Sequence, residues 1–101
     1  MITEFVTNVE FQFYGSVKAT AGRDSVKLGL APGVFVFSAL EILADEYGGG
    51  LWAEIFSASG EIRADLTILH NGVVLDHQAI KDMEILVGDV IALLPSFSGG
   101  G

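Results

Sequence analysis

The sequence predicts an α+β domain, a mixed β-sheet with one main helix across one face. Three observations predict it. Short runs near the start alternate apolar and polar residues, as half-buried strands do, and further runs flank Asn71-Gly72. One segment, from Val36 to Tyr47, places its apolar residues at helical spacing. A near-continuous apolar run, Val90-Ile91-Ala92-Leu93-Leu94, has the pattern of a strand buried on both faces.

Each element has its own signal. Residues 9–14, Val9-Glu10-Phe11-Gln12-Phe13-Tyr14, alternate until Gly15 and Ser16 interrupt them. Ala21-Gly22-Arg23-Asp24 has turn chemistry, and residues 25–30 alternate again with Val26, Leu28 and Leu30 on one face. The two runs are predicted as an antiparallel hairpin with a short connection, ended by Pro32-Gly33.

Val36, Ala39, Leu40, Leu43 and Tyr47 then form one apolar helix face. Ser38-Ala39-Leu40-Glu41 matches a capping box, with Phe37 and Ile42 as the staple; a start near Phe35 is the alternative. Gly48-Gly49-Gly50 ends the helix, because glycine readily takes the left-handed cap. Residues 51–56 are expected to make a short helical turn that buries Trp52 or Phe56, with Ser59-Gly60 as the next turn. Residues 64–69 and 73–75 read as strands joined by Asn71-Gly72, which suits a type I′ turn needing positive φ at both central residues. Val87-Gly88-Asp89 turns into the last strand. The first and last runs are apolar enough to pair at the centre of the sheet.

Composition narrows the function. The chain of 101 residues holds one domain, and half of it is hydrophobic, enough for a core without staples. It has no cysteine, which excludes disulfides, thiolate metal sites and a cysteine nucleophile. The net charge is -8, and Lys18, Arg23, Lys27, Arg63 and Lys81 are scattered singly, so nucleic acid is not expected as a partner. An acidic surface serves solubility or steering toward a basic partner. Residues 1–8 lack the basic start of a signal peptide and no run is long enough for a membrane helix, so a cytoplasmic protein without a membrane partner is expected.

No self-sufficient active site is expected. Gly48-Gly49-Gly50 lacks the Lys-Ser/Thr of a phosphate loop and follows a helix rather than opening one. His70 and His77 lack further ligands at metal spacing, so no metal site is expected; His70 reads as a strand-end residue and His77 as an exposed loop residue. Asp82, Glu84 and Asp89 read as solvated carboxylates around turns, and Ser96 and Ser98 lack a nucleophile elbow. What remains is the ending, Pro95-Ser96-Phe97-Ser98-Gly99-Gly100-Gly101. It presents a free α-carboxylate on a nearly bare stalk, and glycine can thread a narrow tunnel where a Cβ would clash. The other reading of the same residues is an ordinary linker or frayed terminus.

Several strings together resemble the MoaD/ThiS family of ubiquitin-like sulfur carriers, nearer the MoaD type, the small subunit of molybdopterin synthase. They are Phe13-Tyr14-Gly15-Ser16-Val17-Lys18-Ala19-Thr20-Ala21-Gly22, the insertion from Leu51 to Arg63, the Asn71-Gly72 hairpin, and Gly88-Asp89-Val90-Ile91-Ala92-Leu93-Leu94-Pro95 before Ser98-Gly99-Gly100. The resemblance implies a ubiquitin-like β-grasp fold over residues 9–95, an N-terminal extension of residues 1–8 and a C-terminal tail of residues 96–101. It implies that the chain is no catalyst alone and binds no cofactor. A ubiquitin-activating-enzyme-like adenylyltransferase would use ATP to adenylate the terminal glycine, which then becomes a thiocarboxylate. The sulfur would go to molybdopterin, the molybdenum or tungsten cofactor precursor, within the large subunit of molybdopterin synthase.

The reactive residue would be Gly101 or Gly100, since one glycine follows the family's usual pair. Tyr14, Val74, Leu94, Phe97, Ser98 and Gly99 would touch partners, although Val74 and Leu94 also suit a plain core. The chain departs from the family at Ser96, where a second proline is usual, and at Phe35, a poor helix cap. Two alternatives stand beside the carrier: a protein modifier joined to lysines through its terminal glycine, and a binding module whose tail is incidental.

Overall fold

The computed structural model describes residues 7–96. In chain order the elements are β1 (Thr7–Phe13), α1 (Gly15–Ala21), β2 (Ser25–Leu30), α2 (Val36–Tyr47), α3 (Leu51–Ile55), β3 (Leu66–His70), β4 (Val73–Val74), a 3-10 turn (Ala79–Lys81) and β5 (Val90–Pro95). The five strands form one sheet in the order β2-β1-β5-β3-β4. β1 and β5 are parallel neighbours at its centre, and the other pairs are antiparallel. The two apolar end runs thus pair at the centre of the sheet, the arrangement their composition allowed. The topology is the ubiquitin-like β-grasp: two strand pairs, with α2 crossing one face.

Strand alternation sorts the side chains. Val9, Phe11 and Phe13 of β1, Ile91 and Leu93 of β5 and Leu66 and Ile68 of β3 enter one core with Val36, Leu40 and Leu43 of α2 and Leu51 and Ile55 of α3. Each such side chain contributes about 1.5–3 kcal/mol when fully buried. β1 begins at Thr7, which pairs with Leu30, so the first strand starts two residues earlier than the sequence reading.

The structure departs from sequence expectation at four further points. First, β1 and β2 are antiparallel but are joined by a helix, α1, and not by a short turn. Its anchor is Val17, which is fully buried, and Gly22 closes it at φ 75°.

Second, α2 takes the alternative start, at Val36 behind Phe35, so the capping box at Ser38 does not form and Ser38 lies inside the helix with no side-chain cap at its start. The cap is replaced by tertiary backbone pairing. The Val36 N–H donates to Met83 O at 2.7 Å and the Ile85 N–H to Val34 O at 2.8 Å, so the first N–H of the helix is paired although an apolar residue stands at the cap position.

Third, His77 is half-buried rather than exposed, and its Nε2–H donates to Leu66 O at 2.6 Å. Fourth, Asp89 is buried rather than solvated. In α3 the choice between two aromatics resolves to Phe56, which is buried, while Trp52 stays 38% exposed. Asn71 and Gly72 both have positive φ, 50° and 86°, as the predicted hairpin turn demands.

Candidate functional site

The root of the tail is held firmly. β5 runs between β1 and β3, pairing Leu93 with Phe13 and Ile68, and Pro95 pairs with Leu66. The ladder reaches one residue further, where the Ser96 N–H donates to Asp65 O at 2.7 Å. On the other side the Tyr14 N–H donates to Leu93 O at 3.2 Å. Gly15 then turns over Pro95 at φ 55°, and a Cβ there would sit 2.9 Å from Pro95 Cγ. Only glycine fits both that backbone angle and that approach. The Arg63 guanidinium grips Asp65 by two bonds of 3.0 Å and holds its carboxyl below the ordinary carboxylate range.

The face of the sheet opposite the helices carries an apolar patch beside this root. Register places Leu69 between Ala92 on one side and Val74 on the other, and Leu94 beside Thr67 on the same face. Gln12 pairs with Ala92 and accepts a 3.3 Å hydrogen bond from the Tyr14 hydroxyl, which ties Tyr14 to this face. Tyr14 is 46% exposed, Val74 66% exposed and Leu94 half-buried. Three expected contact residues therefore share one surface, and Val74 is no core residue. The sequence reading missed Leu69 and Ala92, which join them. Alternation within each strand carried a signal for both, but the β3–β5 register that aligns them is non-local. Phe97, Ser98, Gly99, Gly100 and Gly101 lie outside the described residues.

At the other end of β5 stands a polar knot. Asp89, 5% exposed, accepts hydrogen bonds from His70 Nε2–H at 2.8 Å, Asn71 Nδ2–H at 3.0 Å and the Leu86 N–H at 2.8 Å. Asn71 Oδ1 in turn accepts from the Val90 N–H at 2.8 Å. The knot clips the β3–β4 hairpin to the start of β5, far from the tail root, and offers no nucleophile. Among the described residues, no group of three or more His, Cys, Asp or Glu side chains is placed to hold a metal ion. No described helix is long and apolar enough to cross a membrane.

Neither a protein-family model nor a curated protein sequence matches the chain. Solved structures do. The chain is similar to SAMP1 of Haloferax volcanii at 25% identity and TM-score 0.81, over 92% of this chain and 99% of that one. It is similar to the small archaeal modifier protein 1 of Methanosarcina acetivorans at 25% identity and TM-score 0.70, over 95% and 99% of the two chains. It is similar to a protein of Pyrococcus furiosus described as a proposed molybdopterin converting factor subunit 1, at 20% identity and TM-score 0.66, over 90% and 99%. The likeness is that of the fold, a ubiquitin-like β-grasp.

Proposed function

We propose that the chain is a sulfur carrier acting through its C-terminal glycine in molybdopterin biosynthesis. A carboxylate oxygen of Gly101, or of Gly100 after trimming, attacks the α-phosphorus of ATP and pyrophosphate leaves. Hydrosulfide then attacks the acyl carbon, AMP departs and a thiocarboxylate remains. Both steps need a partner enzyme, an adenylyltransferase of the ubiquitin-activating type, and delivery needs a second, the large subunit of molybdopterin synthase.

The observation that carries this reading is the placement of the tail root. The central strand of the sheet ends at Pro95 beside an exposed apolar face, so one docked partner can hold the domain and receive the tail. The Pyrococcus furiosus neighbour, itself described as a proposed molybdopterin converting factor, supports the cofactor assignment.

The modifier reading shares this activation chemistry, and it is favoured by the two archaeal neighbours named as small modifier proteins. In that case a lysine amine of the target attacks the acyl carbon of the adenylate, AMP departs and an isopeptide bond forms.

Intact mass after incubation with a cognate activating enzyme, ATP and a sulfur donor tests the carrier. A gain equal to sulfur replacing one oxygen, mapped by fragmentation to Gly100 or Gly101, is expected. High-mass conjugates in cells, without a thiocarboxylate form, would favour the modifier.

The apolar face has its own test. Val74→Glu and Leu94→Glu are expected to weaken binding of the activating enzyme about tenfold or more, since each puts a charge into an apolar contact. Thermal melting checks that Val74→Glu leaves the fold intact, and unchanged binding by both variants would move the docking surface elsewhere.

A further inference from the structure

The helix-bearing side of the molecule carries a second apolar surface that the carrier chemistry does not use. It is an open groove of about 690 Å³ lined by Trp52, Phe56, Ala58 and Ala64, with Arg63 and Asp65 at its rim. Trp52 is the chain's single tryptophan. Its ring stands 4.6 Å from Phe56 between centroids, and its Nε1–H is tied to Asp45 Oδ1 at 2.9 Å. The indole is therefore an aromatic shelf with its N–H anchored, one part packed on Phe56 and another part open to solvent.

We propose that Phe97 of the same chain occupies this groove, so that the tail has a docked resting state. Three observations argue for that occupant. Asp65 belongs both to the groove and to the tail root, because its carbonyl accepts the Ser96 N–H at 2.7 Å. The next residue after Ser96 is Phe97, the one large apolar side chain beyond the last strand. The two-residue alternation of β5 sends Ile91, Leu93 and Pro95 to the helix-bearing side, where Pro95 lies under Gly15 and α1 in turn meets α3 through Ser16 and Glu54 at 2.7 Å. Continued by one more step, that alternation would carry Phe97 to the side on which Trp52 and Phe56 stand. An aromatic residue delivered beside an aromatic shelf on a short tether meets it at high effective concentration. An activating partner then has to displace Phe97 before it can draw the terminal glycines into its own site. This docking stands or falls independently of the chemistry at the terminus.

Trp52 reads the contact directly. Emission and acrylamide quenching of the full chain are to be compared with Phe97→Ala and with Ser98→Ala as a control. Phe97→Ala is expected to shift Trp52 emission to the red and to raise its quenching constant about twofold, with an unchanged melting temperature. Ser98→Ala is expected to match the parent chain. In NMR spectra of the parent chain, cross-relaxation between the Phe97 ring and the Trp52 indole is expected as well. Identical Trp52 emission in parent and Phe97→Ala, or no Phe97–Trp52 cross-relaxation, would overturn the proposal. So would protection of Trp52 that grows with protein concentration, which would assign the groove to a second copy of the chain.

Discussion

Replacing Asp89 by alanine is expected to lower the stability of this domain by about 3 kcal/mol and its melting temperature by roughly 10–20 °C. The carboxylate is buried and accepts from three donors: the His70 ring, the Asn71 amide and the Leu86 backbone N–H. Each bond to a charged acceptor is worth about 1.5–3 kcal/mol, and water entering the gap recovers part of the loss. The same group sets an acid limb. Burial pushes the Asp89 carboxyl up, but the hydrogen bonds from His70, Leu86 and Asn71 outweigh it and hold the group below its ordinary value.

The sign follows from linkage. With the native value depressed, the unfolded chain binds the proton more readily. The Asp89 contribution is complete above the unfolded value of about 3.9 and is lost as pH falls through the native one. Asp65 is held low as well, but it is exposed and solvent screens most of its effect. Urea titrations across acid pH check both statements. The Asp89→Ala chain should lose the part of the acid limb that the parent owes to this group. Equal midpoints for the two chains at neutral pH would remove Asp89 from any structural role.

The elements that the sequence reading reached are those whose signals are local. The α2 face from Val36 to Tyr47, the Asn71-Gly72 turn and the buried pattern of β5 each lie within a dozen residues, and each was found where expected. The fold class followed, because one amphipathic helix and several short strands have few ways to layer. α1 was illegible for a physical reason. Gly15, Ser16 and Thr20 are weak helix formers, and the segment is held by burial of Val17 and by contact with α3. Asp89 looked like any turn carboxylate, because its partners His70 and Asn71 stand 19 and 18 residues away. The apolar face shows both sides of this divide. Tyr14, Val74 and Leu94 were singled out by resemblance. That they share one surface, bridged by Leu69 and Ala92, depends on β3 meeting β5 in one register and on no local pattern.

A chain extended by one tryptophan beyond Gly101 is expected to keep its fold and to lose adenylation. Pro95 and Ser96 are fixed to β3 and capped by Gly15, so the point from which the tail departs is set by the domain. A partner docked on the apolar face then meets the terminal carboxylate at a distance set by residue count. One added residue moves that carboxylate by about 3.5 Å. In a reaction needing near-attack geometry, a misplacement of about 1 Å already costs on the order of a hundredfold. The indole adds a second obstacle where glycine leaves the channel free of any Cβ. Exchange of labelled pyrophosphate into ATP, measured with the cognate activating enzyme, reads the step directly, and circular dichroism checks the fold. Gly100→Ala and Gly101→Ala refine the register, since the residue that carries the reaction tolerates alanine least. Adenylation of the extended chain at the parental rate would mean that the partner does not gauge the tail from a fixed root, and the docking geometry argued from β5 would fall with it.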